Sequence, residues 1–148
     1  MNTFRNAVWK ALALAGIAAA AIPAVAAVRM PSEQYDGSVG YISGGNSRAQ
    51  ARMFERQMSR HPLAIELLQR APRGTESTSY AWVRIADSRG RTVLDTLSRG
   101  QFMLVDLAPG RYKVNATLHG ETLRRAALVP AGAEGVRTVF DFPTETGG

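Results

Sequence analysis

From Pro62 onward the apolar residues of the chain recur two apart. Leu63, Ile65 and Leu67 keep that spacing, as do Ala81, Val83 and Ile85. Tyr112, Val114, Ala116 and Leu118 follow it, and so do Val136, Thr138, Phe140 and Phe142. A period of two sends alternate side chains to one face of an extended strand, so each run predicts a β-strand with a buried face. Glycines at 90, 100, 110 and 120 match the strand-plus-turn rhythm of an antiparallel sandwich. Ser88-Arg89-Gly90 and His119-Gly120 fit tight hairpins, and Pro109-Gly110 presets a type II turn. The strand count between Leu63 and Phe142 comes to seven.

Before Pro62 the period is that of a helix. Ala51, Phe54 and Met58 fall at i, i+3 and i+7 with Met53 beside them, which predicts a helix over residues 47–59. Ser47 followed by Gln50 fits a capping box, in which each side chain satisfies an orphaned backbone N–H. His61-Pro62 ends the helix, because the residue before proline is pushed out of the helical region. Val39-Gly40-Tyr41-Ile42 reads as a short extended piece, and Ser43-Gly44-Gly45-Asn46 breaks the chain before the helix. Residues 27–38 lack periodicity and read as a flexible leader, and residues 143–148 as a disordered tail. The expected fold is mainly β: one domain over residues 39–142, a seven-stranded antiparallel sandwich with one N-terminal helix packed across it.

The first 26 residues read as an export signal. Arg5 and Lys10 precede an Ala-rich apolar run over residues 11–21; Pro23 breaks it, and Ala24-Val25-Ala26 supplies small residues for cleavage. A spanning helix needs about 20 strongly apolar residues, more than this run offers. The expected location is periplasmic or secreted, with no transmembrane helix after processing. Cysteine is absent, which removes disulfides, thiolate metal sites, a cysteine nucleophile and a lipid-bearing cysteine. The 122 residues left after residue 26 must therefore hold together by burial alone. Without Arg5 and Lys10 the chain keeps 16 basic residues against 12 acidic ones, and Lys113 is its one lysine. Arginine favours planar anions such as carboxylates and phosphates.

One segment carries a family likeness. Leu107-Ala108-Pro109-Gly110-Arg111-Tyr112-Lys113-Val114 resembles the Leu-Pro-Pro-Gly-x-Tyr-x-Val signature of carboxypeptidase regulatory-like domains. Asp87-Ser88-Arg89-Gly90-Arg91-Thr92-Val93 resembles their Asp-x-x-Gly-x-x-Val hairpin, and Gly100-Gln101-Phe102-Met103-Leu104 and Val129-Pro130-Ala131-Gly132 fit the same register. The likeness spans about residues 39–142 and implies a transthyretin-like or Ig-like sandwich of the small exported bacterial type. It departs from the signature at Ala108, where the first proline is expected, and at His61-Pro62-Leu63. The signatures mark a fold and carry no activity. The transthyretin-like fold also includes small amide hydrolases with a Tyr-Arg-Gly-Ser ending, whereas this chain ends Thr-Glu-Thr-Gly-Gly. Lys113 has the opposite parity to Tyr112 and Val114 and should face water, away from any buried lysine–asparagine cross-link.

Candidate chemistry is sparse. His61 and His119 are far apart, and neither has a ligand partner at helical spacing, so no metal site and no cofactor are expected. No Gly-x-Ser-x-Gly elbow and no recurring carboxylate pair appear, so no catalytic residue is assigned and no enzyme activity is expected. Gly44 and Gly45, just ahead of the helix, have backbone N–H groups that suit an anion, or else form a plain turn. The most informative feature is arginine at 48, 52, 56 and 60. Spaced by four, these lie along one drifting ridge about 18 Å long. Like charges at this spacing cost about 0.2–0.5 kcal/mol per pair. The ridge reads either as a solvated arginine face or as a docking strip for a polyanion, an anionic lipid surface or an acidic protein. Tyr80 and Trp82 have the opposite parity to Ala81 and Val83, and are expected beneath Phe54 and Met58 or else as an exposed recognition patch. The expected function is an exported, non-catalytic binding or accessory module without a nucleic-acid partner. A small hydrolase and a structural or assembly protein of the envelope are the alternatives.

Overall fold

The computed structural model of the chain describes residues 27–77 and 80–144, with isolated positions 16, 18, 20 and 21. Apart from those four positions, the expected export signal lies outside the described residues, as does the expected tail from residue 145. No helix among the described residues is long and apolar enough to cross a membrane.

Among the described residues, ten strands make two facing sheets, with one short helix. In chain order these are β1 (Gln34–Asp36), β2 (Val39–Gly44), α1 (Arg48–Gln57) with a 3-10 turn (Met58–Arg60), β3 (Leu63–Ala71) and β4 (Gly74–Ser77). They continue with β5 (Trp82–Ala86), β6 (Thr92–Leu97), β7 (Phe102–Val105), β8 (Gly110–Leu118), β9 (Glu121–Val129) and β10 (Val136–Phe142). The larger sheet runs β1-β2-β7-β3-β10, with β4 paired to the far end of β3; the smaller runs β6-β5-β8-β9.

The period-two runs occupy strands as expected. Their inward residues make one core: Leu63, Ile65, Leu67, Met103, Val105, Phe140 and Phe142 from the larger sheet meet Val83, Ile85, Val114 and Ala116 from the smaller. Lys113 is exposed and Tyr112 packs against the core, each on the expected side. The Tyr112 hydroxyl donates to the Ala108 carbonyl at 2.6 Å and so straps the loop that leads into β8. At the other end of β8, His119 and Gly120 both have positive φ and close a two-residue hairpin onto Glu121.

Three expectations need correction. The expected seven strands become ten, because the chain doubles back at 37–38 to pair β1 with β2 and at 72–73 to pair β4 with β3. The sandwich is not wholly antiparallel, since β10 pairs with β3 in parallel from Val136↔Leu63 to Phe142↔Gln69. The chain leaves β9 at the edge of the smaller sheet, crosses over through residues 130–135, and reaches the free edge of β3 running the same way. The Arg125 guanidinium lies 5.6 Å from the Phe140 ring centroid where β9 and β10 adjoin. The leader expected to be flexible over residues 27–38 is built into the fold: Met30 packs against the helix cluster, and β1 follows.

The helix sits on the outer face of the larger sheet. Phe54 is fully buried there, stacked on Phe102 with ring centroids 5.6 Å apart, and Ala64 and Leu104 complete the contact. Residues 63–67 of β3 and all of β7 are consequently buried on both faces, which explains why Phe102-Met103-Leu104-Val105 shows no alternation. Tyr80 and Trp82 were expected beneath Phe54 and Met58, and instead belong to the other side of the sandwich. The sheet face around Trp82 is polar, so the helix covers the apolar outer face of β3 and β7 instead. Replacing Phe54 by Ala removes the helix anchor; a loss of about 3–5 kcal/mol in unfolding free energy is expected from denaturant titration.

Candidate functional site

Three of the four ridge arginines, Arg48, Arg52 and Arg56, lie on α1, and Arg60 lies on the 3-10 turn that follows it. Ser47 caps α1 by accepting from the Gln50 amide at 3.1 Å, as the sequence predicts. The reciprocal half of the box goes elsewhere: Gln50 Oε1 accepts from the Gly45 amide at 2.8 Å, and Gln50 Nε2 donates to the Arg29 carbonyl at 3.2 Å. One side chain thus ties the helix start to both the turn before it and the segment ahead of β1. At the other end, His61 Nδ1 lies 3.3 Å from Asp106 Oδ1, which fixes the end of the 3-10 turn to the β7–β8 connection.

Held this way, α1 turns Phe54 inward and leaves Arg48, Arg52 and Arg56 exposed, with Arg60 exposed on the 3-10 turn. None of the four guanidinium groups makes a hydrogen bond or an ion pair among the described residues, and Glu55 on the same helix makes none either. Arg56 gains from the helix dipole in the last turn, whereas Arg48 in the first turn opposes it.

The paired carboxylates of the chain are engaged away from the ridge. Asp95 binds Arg84, Asp87 binds Arg91, Asp141 binds Arg70, and Glu66 binds Arg137 and Gln101. Glu66 is only 7% exposed, and its two partners account for both of its oxygens. The structure thus satisfies acids with other arginines and leaves the helix cations unmatched.

Gly44 and Gly45 do not form an anion site, which corrects that expectation. Gly44 is buried and paired with Phe102 across β2 and β7, and the Gly45 amide is already bonded to Gln50. Gly45 adopts φ +98° against the Phe102 ring, so its glycine serves the turn into α1 rather than a ligand.

Tyr80 and Trp82 are 61% and 47% exposed at the start of β5. Tyr80 has φ +67°, a conformation that favours glycine, and sits just before the Ala81–Ser98 contact. Sequence reasoning raised an exposed aromatic patch only as the lesser alternative; it missed that the Trp82 indole N–H donates to Asp95. That bond links β5 to β6, and no local spacing in the sequence marks it.

A separate groove of about 470 Å³ lies between the β1–β2 turn and the β5–β6 hairpin, with Asp36, Asp87, Asp95 and Arg91 on its wall. Its carboxylates are structural. Asp36 accepts from the Asp95 amide at 2.7 Å, and Asp87 accepts from the Arg89 and Arg91 amides at 2.9 and 3.0 Å. Among the described residues no group of three His, Cys, Asp or Glu side chains is placed to hold a metal ion. The Ser43 and Ser98 hydroxyls accept from the backbone amides of Arg99 and Ala81. Burial lifts the Tyr112 phenol above its ordinary pKa, and the nearby Asp87 charge adds to that.

Fold and site together define a mixed-sheet β-sandwich that carries a cationic helix on one outer face and an exposed tryptophan on the other. Comparison of the chain with protein-family models, with curated proteins and with solved structures finds no match.

The hydrogen bond from the Arg91 amide, with that from Arg89 and the Arg91 guanidinium, holds the Asp87 carboxyl below its ordinary 3.8. A depressed folded-state pKa contributes stability that is complete above the unfolded value and is lost as pH falls through the folded value. Asp87→Asn should therefore be less stable than the wild type at pH 6. The difference should shrink steadily below about pH 3.8, read as urea midpoints of both proteins from pH 6 to 2.

Proposed function

We propose that this domain is an exported, non-catalytic binding module that holds an anionic envelope component against the arginine ridge of α1. The observation that carries this reading is the combination of four exposed guanidinium groups, unpaired among the described residues, with an anchored helix and following turn that carry them. Arginine forks match carboxylate and phosphate oxygens in pairs, and a preorganised row loses less side-chain freedom on binding than scattered cations do. The two like-charged i, i+4 pairs within α1, Arg48 with Arg52 and Arg52 with Arg56, cost the isolated helix about 0.4–1.0 kcal/mol together. Retaining that cost in the folded protein fits a surface kept for contact rather than for stability.

The resemblance to carboxypeptidase regulatory-like domains supports a module without its own chemistry, and the Ala-rich leader supports action outside the cytoplasm. The Arg29 carbonyl accepts from Gln50 at the helix start, and Arg29 is itself exposed.

Exchanging Arg48, Arg52, Arg56 and Arg60 for glutamine keeps helix propensity and removes the charges. The expected outcome pairs two opposite changes: elution from a sulfated-polysaccharide column at clearly lower salt, and thermal stability equal to or above that of the wild type. Elution at unchanged salt would refute the ridge as the contact surface.

A further inference from the structure

On the outer face of the smaller sheet, independently of the helix, we infer a second binding site: a shallow track for an acidic polysaccharide, with Trp82 as its stacking plate and Arg124 as its carboxylate clamp. The pairing register places the parts side by side. Trp82, Thr117 and Thr122 form one row across β5, β8 and β9; Arg84, Asn115 and Arg124 form the next. These six side chains line a hollow of about 300 Å³.

One wall is rigid before any ligand arrives. Asp95 receives the Arg84 Nε and Nη2 groups at 3.1 and 2.9 Å and also the Trp82 indole N–H. The Asp95 amide is itself bonded to Asp36 Oδ2 at 2.7 Å, which anchors this wall to β1 of the other sheet. Trp82 is thus pinned by its nitrogen yet keeps about half its surface open, an arrangement that does nothing for the core. The opposite wall is unspent: the Asn115 amide and the Arg124 guanidinium make no hydrogen bond among the described residues.

This chemistry selects a sugar. An open indole offers dispersion contact to the C–H face of a pyranose ring, while planar amide and guanidinium donors match ring hydroxyls and a carboxylate. The Thr117 and Thr122 hydroxyls, 2.7 Å apart, add a polar pair at the same level. Charge makes the preferred sugar acidic. Asp95 is offset by Arg84, so Arg124 and the exposed Lys113 and Arg111 further along the face are unbalanced cations. A second hollow of about 290 Å³ shares Asn115 and Arg124 with the first and adds Lys113, which gives an elongated track suited to a polymer. Single-stranded nucleic acid is normally held by several stacking aromatics in succession, and this track has one.

Isothermal titration calorimetry with oligogalacturonate tests the assignment, carried out in the Arg48→Gln, Arg52→Gln, Arg56→Gln, Arg60→Gln chain so that the ridge contributes nothing. Saturable binding is expected, weakened about tenfold by Trp82→Ala and about tenfold by Arg124→Gln, the loss expected for one well-placed contact. Neutral dextran oligomers should bind at least about tenfold more weakly than the uronate. Circular dichroism of both variants establishes that they fold; if Trp82→Ala fails to fold, Arg124→Gln decides alone. The site is refuted by absent binding, by affinity unchanged in the folded variants, or by equal affinity for dextran. A single-stranded oligonucleotide that binds as tightly and is lost in the same variants would overturn the sugar assignment. Loss of column retention in the ridge variant with uronate binding intact leaves both readings standing. Failure of the uronate alone removes only this one.

Discussion

Phe54, stacked on Phe102 through the outer face of the larger sheet, decides which side of this protein is which. A two-sheet sandwich ordinarily leaves both outer faces to water. Here the outer face at β3 and β7 carries Ala64, Phe102 and Leu104, an apolar strip that the helix must cover. Once Phe54 is seated, the spacing of four carries Arg48, Arg52 and Arg56 to the solvent side without any further device. The smaller sheet, with no apolar strip of its own, keeps an uncovered polar face around Trp82.

Much of the fold was legible in the residues. The runs starting at Ala81, Tyr112 and Val136 alternate because each belongs to a strand with one buried face, and burial follows that alternation closely; the run at Leu63 alternates in spacing yet is buried on both faces over residues 63–67. The stripe of Ala51, Phe54 and Met58 placed the helix within a residue or two of its observed ends. What local pattern does not encode is which sheet a strand joins. The parallel pairing of β10 with β3 depends on where the crossover after β9 delivers the chain, and β1 and β4 are too short to show a period. Burial on both faces hid β7, because a strand covered on two sides has no polar positions to alternate with.

The candidate surfaces were legible to different degrees for a physical reason. Four arginines at helical spacing announce themselves, since geometry on a helix is local. Gly44 and Gly45 read as an anion cradle or else a plain turn, and Gln50, five residues beyond Gly45, takes the amide for the turn. Trp82 could not be placed from parity alone, because parity says which residues share a face and not what covers it. Its bond to Asp95 and its row with Thr117 and Thr122 arise only when three strands come together. Acids neutralise Arg70, Arg84, Arg91 and Arg137, which leaves the helix cations on one face and Arg124 on the other without an acid among the described residues.

The seating of the helix on the larger sheet is open to direct observation by nuclear Overhauser spectroscopy of the Phe54 ring. Cross-peaks from that ring to Phe102, to the Ala64 methyl and to the Leu104 methyls are predicted, with none to the Trp82 indole. Cross-peaks from Phe54 to Trp82 or Tyr80, in place of those to Phe102 and Leu104, would put the helix on the opposite face and contradict the account.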